Sequence, residues 1–508
     1  MGGSIISRMR STPRELWTAA QVRELDRRAI EEHGIAGREL MERAGAAALD
    51  ALLHRWPASR AITVACGAGN NAGDGYVVAR LARRAGLAVR VLSVVDPDRL
   101  RGDAAQALED FRREGGELAR WDGAGDPGGD GPIVDALLGT GLDRELGGSF
   151  SAAVASINAA VRPVVALDIP SGLHADNGRV MGEAISAELT VCFIGLKLGL
   201  FTGRGPALAG QVVFAGLAVP AGLETGLSPA ARRLGETVLG DWLPRRPRDA
   251  HKGCFGHVLV LGGDAGMGGA VRLAGEAALR AGAGLVSVAT RPAHVGAILA
   301  ARPELMCHGA DDPAALDALL ARATVIAAGP GLGRSAWGRG MLEAALQSGL
   351  PCVLDADALN LLSAHPRRSD RWILTPHPGE AGRLLGSDTE AVEADRPAAV
   401  RALRDRYGCI AVLKGAGTLI CGASATLWLC DRGNPGMASG GTGDVLTGII
   451  AGLAAQLGDL ERAACAGVLV HALAADDAAM RGERGMLAGD LLEALRPWVN
   501  PVDARPSR

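Results

Sequence analysis

Along most of this chain a short apolar run gives way to a glycine-rich break and then to a stretch with apolar residues at helical separations. From Leu16 to about Leu53, Val22, Leu25, Ile30, Leu40 and Met41 predict an opening helical region. RAITVA, from Arg60 to Ala65, predicts a buried strand ending at Cys66, and GAGNNAGDGYVVARLARRAG a glycine turn feeding a helix with Val77, Val78 and Leu81 inward. VRVLSVVD, PIVDA and PVVAL predict strands ending at Asp96, Asp135 and Asp168, and VCFIGLKLGLFTGRGP a further strand and a loop holding Lys197. Between Leu223 and Arg248 the regularity fails, so a linker at 223–248 is expected between domains at 14–222 and 249–500. VLVLGG then restarts the pattern, with an Ala-rich helix from Gly269, and VIAAGPGLG, VLDADALN, WILTPHPGE and IAVLKGAGTLI supply further strands with loops at their carboxyl ends. The tail GMLAGDLLEALRPWV predicts a final helix. Strands alternating with helices make both halves α/β, a class whose ligands collect beyond the carboxyl ends of the strands.

The most telling stretch is NPGMASGGTGDVLTGIIAG, Asn434 to Gly452: a glycine loop, Gly440 to Gly443, passes Asp444 into the apolar helix Val445 to Leu453. Free backbone N–H groups and the positive end of a helix dipole suit an anion such as phosphate. A carboxylate beside such a cradle is repelled by its ligand, which points to chemistry: taking a proton from, or gripping, a hydroxyl that meets the phosphate. The alternative is an acidic cap after a flexible loop.

Composition narrows the class. Of 508 residues 48% are hydrophobic and 21% charged, which describes a globular product, and the 72 glycines without a fixed period serve α/β turns. A net charge of −3 leaves no basic face for nucleic acid. Nine cysteines without CxxC spacing suit a reducing interior. The start, MGGSIISRMRSTPREL, lacks an apolar secretory core, and no run approaches the ~18 apolar residues of a membrane span, so a cytoplasmic protein is expected, with Met9 an alternative start.

Other candidate residues follow from their positions. Asn70, Asn71 and Asp74 lie within five residues after a strand, more coordinating side chains than a turn alone requires. Gly67, Gly69 and Ala72 also spell the GxGxxA form of a dehydrogenase fingerprint, with Asp96 as its ribose partner, and hydride transfer is kept as a rival. Asp135 at a strand end suits a ligand or a helix cap, Pro170 and Gly172 fix a sharp turn about Ser171, and Lys197 suits a phosphate or a solvated surface equally. Asp355, Asp357 and Asn360 cluster at another strand end, where a helix start would also welcome them; His251 and Lys252 stand at a domain edge.

Four of these motifs resemble, in order and from about Leu16 to Trp498, the family of bifunctional NAD(P)H-hydrate repair enzymes. NNAGDG and DIPSG are similar to the NAD(P)HX epimerase, which implies a Rossmann-like three-layer domain. There Asn70, Asn71, Ala72, Gly73 and Asp74, with Gly139, Thr140, Gly141, Leu142, Asp143, Arg144 and Glu145, would contact the dinucleotide. Asp168 would be the acid/base, and Asn71, Asp135 and Ser171 would hold a potassium ion, hard oxygen donors suited to an alkali cation. Ala72 stands where many members have glycine. TPHPGE, KGAGT and NPGMASGGTGD resemble the dehydratase, which implies a ribokinase-like α/β domain. Ala270, Gly331, His377 and Asp444 would meet the substrate. Lys414, Gly415, Ala416, Gly417 and Thr418, with Asn434, Gly436, Met437, Ala438, Ser439, Gly440, Gly441, Thr442 and Gly443, would bind the nucleotide. The His377-x-x-Glu380 spacing departs from the Asn-x-x-Glu element found near magnesium in ribokinase-like enzymes, so no magnesium ligand is assigned. The resemblance implies repair of hydrated NADH and NADPH with ADP as donor, ATP as the other candidate, magnesium as its companion, and a homo-oligomer. A small-molecule kinase with an accessory dinucleotide-binding domain is the alternative, and a non-catalytic dinucleotide sensor a further one.

Overall fold

The computed structural model describes residues 13–501, so Met9 lies outside the described residues. The chain divides into two compact units between Arg232 and Arg233.

In the first unit the opening helical region is interrupted twice. A short strand, β1 (Glu15–Leu16), precedes a helix at Ala19–Glu31, and Gly34, in the left-handed region at φ +68°, separates that helix from another at Gly37–Arg55. Thr18 and Gln21 form a reciprocal capping box at the start of the first helix. Seven parallel strands follow: β2 (Ala61–Cys66), β3 (Ala88–Ser93), β4 (Leu118–Arg120), β5 (Ile133–Ala136), β6 (Val164–Leu167), β7 (Leu189–Phe193) and β8 (Gln211–Ala215). Their spatial order is β4-β3-β2-β5-β6-β7-β8. The order reverses between β2 and β5, which pair with Ala65 opposite Asp135, and a crevice opens beyond the carboxyl ends at such a switch point. Gly67 sits there because a Cβ would come 1.8 Å from the Leu137 carbonyl oxygen. The sheet is buried on both faces, so its strands read as continuous apolar runs.

The expected linker, 223–248, is not featureless: it carries a strand, β9 (Ala231–Arg233), and a helix at Thr237–Trp242, and the division between the units falls inside it. Sequence reading missed them because both are shorter than the span over which a periodic pattern shows.

The second unit holds β10 (His257–Leu261), β11 (Leu285–Thr290), β12 (Met306–Gly309), β13 (Val325–Ala328), β14 (Cys352–Leu354), β15 (Trp372–Leu374), β16 (Ile410–Leu413), β17 (Thr418–Cys421) and β18 (Leu427–Cys430). Their order is β18-β17-β16-β15-β14-β13-β10-β11-β12, parallel from β12 to β16, with β17 and β18 antiparallel. The switch point lies between β10 and β13. Helices at Gly268–Arg280, Thr442–Leu457, Leu460–Ala479 and Ala488–Trp498 cover one face with an Ala-rich core. The first two approach closely enough that a Cβ on Gly448 would meet the Ala274 carbonyl at 2.1 Å. Among the described residues no helix is long and apolar enough to cross a membrane.

Candidate functional sites

In the first unit, Asn70, Asn71, Ala72, Gly73 and Asp74 are not a loop, as the glycines suggested, but the first turns of the helix Asn70–Arg84, directly after β2. Asn70 is exposed, Asp74 half-buried, and Asn71 buried. Asn71 Nδ2 donates to the Leu138 carbonyl at 2.8 Å, while Asn71 Oδ1 is buried with no hydrogen-bond partner. Asp135 is fully buried at the end of β5; its carboxylate accepts from Ser171 Oγ (2.6 Å), Ser171 N (2.8 Å) and Leu137 N (3.2 Å). Ser171 Oγ also lies 3.1 Å from the Leu138 carbonyl. Burial raises the Asp135 carboxyl to about 6 against the pull of those bonds. Asn71 and Ser171 therefore converge on the Leu138 carbonyl, with Asp135 joined to them through Ser171, and the orphaned Asn71 oxygen is what a hard cation would satisfy. The loop from Gly139 through Thr140, Gly141, Leu142, Asp143, Arg144 and Glu145 runs along the rim, half-buried to exposed, with Glu145 paired to Arg179 at 3.3 Å.

Asp168 follows β6 in the left-handed region at φ +67°, a strained backbone for a residue with a Cβ. Its backbone N–H donates to Val191 O at 2.8 Å, and its Oδ1 accepts from Phe193 N at 3.1 Å and from Lys197 Nζ. Neither sequence reading of Lys197 holds: it is 0% exposed, its ammonium donating to Asp168, to Phe193 O (3.0 Å) and to Cys192 Sγ (3.4 Å). Burial alone would lower its pKa, but the Asp168 carboxylate and the Cys192 thiol outweigh burial and raise it. Two further carboxyls crowd this pair. Asp26 rises to about 6 through burial, eased by Lys197, and Asp74 rises further through burial and the charges of Asp168 and Asp26. Asp26 had no signal in the sequence, since it lies mid-helix without a motif.

Asp96 does not end a strand: β3 stops at Ser93, and Asp96 is exposed, capping a short turn through Asp98 N at 3.2 Å. That leaves the dehydrogenase rival without its ribose carboxylate at a strand terminus.

In the second unit, Gly441 at φ +94° caps the helix Thr442–Leu457, so Thr442, Gly443 and Asp444 already belong to its first turn. Thr442 Oγ1 donates to Met437 O (3.0 Å) and Ser439 O (3.1 Å), tying down the half-buried to exposed run Gly436, Met437, Ala438, Ser439, Gly440. Ser439 Oγ is buried with no partner. Asn434 anchors the loop rather than facing it: its Nδ2 donates to Ala475 O and Asp476 Oδ1 and its Oδ1 accepts from Gly436 N, each at 3.0 Å. Buried His471, held neutral with its pKa lowered to about 4 by burial, donates from Nε2 to the Thr442 carbonyl at 2.9 Å. Asp444 rises to about 6 through burial and the nearby Asp355 charge, against Lys414.

Lys414 opens the turn from β16 to β17 that runs through Gly415, Ala416 and Gly417 to Thr418, whose Oγ1 closes the turn onto Gly415 O at 2.9 Å. Its ammonium donates to Asp355 Oδ1 at 2.7 Å and lies 3.9 Å from Glu380 Oε2. Burial alone would lower its pKa, and the two carboxylates together raise it. His377 caps the helix Pro378–Leu385, its Nδ1 accepting from Gly379 N (3.0 Å) and Glu380 N (3.4 Å) while Glu380 returns to His377 N at 2.9 Å. Its Nε2 lies 3.5 Å from Glu380 Oε1, and the side chain is 52% exposed. Gly331 and Ala270 meet at the switch point, where a Cβ on Gly331 would come 3.3 Å from that of Ala270. His251 and Lys252 are exposed. Asp357 and Asn360 spend their side chains locally, on Gly333 N at 2.9 Å and Arg383 Nε at 2.8 Å. Among the described residues no three His, Cys, Asp or Glu side chains form a metal cluster.

A family model described as YjeF-related protein N-terminus matches residues 37–199, and one described as NAD(P)H-hydrate dehydratase matches 258–497. The chain is similar over 503 residues, at 50% identity, to the bifunctional NAD(P)H-hydrate repair enzyme Nnr of Coxiella burnetii, covering 96% of this chain and 99% of that one. The Escherichia coli enzyme of the same name is 44% identical over 97% of this chain and 95% of its own. The chain belongs to this family. It is a bifunctional NAD(P)H-hydrate epimerase and dehydratase, and the kinase, sensor and hydride-transfer alternatives fall away. Among solved structures, a ribokinase-like superfamily protein from Enterococcus faecalis V583 matches at TM-score 0.50 and 32% identity, over 53% of this chain and 96% of that one.

Proposed function

We propose that the two activities are divided between two sites, one in each unit. In the first, Asp168 is the acid/base that inverts the hydrated carbon of NAD(P)HX, with Oδ1 anchored by Lys197 and Phe193 N and Oδ2 left toward the substrate. The helix start Asn70–Asp74 and the rim Gly139–Glu145 hold the dinucleotide at the switch point. Asn71 Oδ1, Asp135 and Ser171 would hold a potassium ion, which would supply fixed positive charge for an anionic ligand.

In the second, Asp444 takes the proton of the ring hydroxyl as that oxygen receives a phosphoryl group from ADP. Loss of phosphate together with a neighbouring ring proton then restores the dihydronicotinamide. N–H groups at the start of the helix Thr442–Leu457 and the Ser439 hydroxyl stabilise the transferring group. Lys414 and the Gly415–Thr418 turn hold the remaining phosphate, and Ala270, Gly331 and His377 line the nicotinamide side. Magnesium fits as a companion of the nucleotide's own oxygens, since it keeps several waters and needs no all-protein cage. The observation that carries the dehydratase assignment is a carboxyl raised to about 6 in the first turn of a glycine-capped helix. ATP is the other donor candidate, and a cytoplasmic homo-oligomer suits the reading.

The test supplies purified protein with an NADHX epimer mixture, magnesium and potassium, with and without ADP. Reduced-nicotinamide absorbance returns fully only with the nucleotide; no return with either ADP or ATP refutes the assignment.

A further inference from the structure

Asp355 stands where a helix cap belongs, immediately before the helix Ala356–Ala364, yet its side chain makes no capping bond to that helix. It turns away. One oxygen accepts from Lys414 Nζ at 2.7 Å and the other from Thr447 Oγ1 at 2.9 Å. Thr447 is itself fully buried, three residues beyond Asp444 and so on the same face of the helix Thr442–Leu457. Gly443 closes the arrangement: a Cβ there would lie 3.6 Å from both Asp355 Oδ2 and Lys414 Nζ.

The backbone fixes Asp355 as tightly as its side chain does. Its N–H donates to Ala328 O at 3.1 Å, and its own carbonyl packs so close to Gly329 that a Cβ there would meet it at 1.8 Å. The next residue, Ala356, is held at φ +46°, strain that an ordinary capping aspartate would not require. Asp355 is 2% exposed, and a buried carboxylate that forgoes its cap for a lysine and a threonine on different elements acts as a strut.

We infer that Asp355 is a positioning residue of the dehydratase site: it sets the separation between the phosphate-binding Lys414 and the helix that carries Asp444. The inference rests on the reading of Asp444 as the base. The charged and titratable groups around Asp444 are Asp355 after β14, Lys414 after β16, Glu380 on the helix Pro378–Leu385 and, through Thr442 O, neutral His471 on the helix Leu460–Ala479. Removing Asp355's charge leaves Lys414 acting on Asp444 without its nearest counter-charge, so the proton affinity of Asp444 falls.

The experiment measures ADP-dependent NADHX dehydration against pH for wild type, Asp355→Asn, Asp355→Glu and Thr447→Val, with epimer interconversion in the same preparations as a control for the first unit. Asp355→Asn is expected to lower kcat at least tenfold and to move the acidic limb of kcat down by about one pH unit. Asp355→Glu, which keeps the charge, leaves the limb where wild type has it. Thr447→Val lowers kcat severalfold with the ADP KM and the limb unchanged, and carries the test if Asp355→Asn fails to fold. An unmoved limb in Asp355→Asn, the same shift in Asp355→Glu, or an unchanged kcat in Thr447→Val overturns the inference. Absence of dehydration in wild type would instead sink the underlying reading.

Discussion

Each unit presents a carboxylate bonded to a lysine at the carboxyl edge of its sheet, but the two pairs divide their labour differently. In the first, Asp168 is both the lysine's partner and the proposed acid/base, so Lys197, fully buried and with no other carboxylate within bonding distance among the described residues, serves the proposed reacting group directly. In the second, the lysine's partner is Asp355, while the proposed base, Asp444, stands on another element, one helix turn before the Thr447 that bonds Asp355, and shares Lys414 only through space. Lys414 thus stays partly exposed at 20%, as its proposed phosphate role requires, whereas Lys197 is sealed. On the proposed assignment, the site that receives a nucleotide separates charge neutralisation from proton transfer, and the site that only moves a proton joins them.

The largest break in that comparison comes from Asp444→Asn, which should cut dehydration by ~10³ while leaving epimerisation untouched, since a positioned base contributes about 10²–10⁴. NADH recovery with ADP, and chromatographic separation of the epimers, measure the two. In wild type the same assay should show dehydration failing below about pH 6, where the Asp444 carboxyl takes up its proton.

Lys197→Met should come next. It leaves Asp168 partly buried beside Asp26 and Asp74 with no positive partner, so the first unit loses about 3–5 kcal/mol and epimerisation is lost. Calorimetry resolving the two units would show a fall in one transition; an unchanged transition would mean that Lys197 is not needed to hold the acid/base.

Ser171→Ala should raise the potassium concentration for half-maximal epimerisation roughly tenfold, in line with loss of a neighbour to a metal site, and leave dehydration insensitive to potassium. Equal potassium dependence before and after would remove Ser171 from the site.

A further effect is on stability. His471 is neutral in the fold, with its pKa lowered from 6.5 to about 4, so the unfolded chain binds more protons between those values and stability falls as pH drops from 6.5 toward 4. At full development this amounts to about 3 kcal/mol. His471→Gln should keep a donor to Thr442 and flatten that decline, seen as a smaller difference between melting temperatures at pH 7 and pH 5.

What the sequence carried was local grammar. Apolar runs ending in Asp135 and Asp168 announced buried strands with carboxylates at their ends, and the glycines before Asp444 announced a helix that begins without bulk. Helix starts were misplaced by a few residues because glycine and asparagine read as loop, yet Asn70–Asp74 and Thr442–Gly443 adopt helical turns once tertiary contacts fix them. β11 and β12 were missed because Ser287, Thr290, His308 and Gly309 break an apolar run, although Ser287 is satisfied by His257 Nε2 at 2.9 Å. The pairings of Lys197 with Asp168 and of Asp355 with Lys414 and Thr447 were illegible for a plainer reason. They join residues 29, 59 and 92 positions apart, and no spacing rule reaches that far.

The separability of the two sites is tested most directly by mixing. Asp168→Ala alone, given ADP and an equilibrated epimer mixture, should consume one of the two epimers and stall, and Asp444→Asn alone should consume almost nothing. The two variants together should restore complete, wild-type-like recovery of NADH. A mixture that stalls where Asp168→Ala alone stalls would contradict the division of labour on which this account stands.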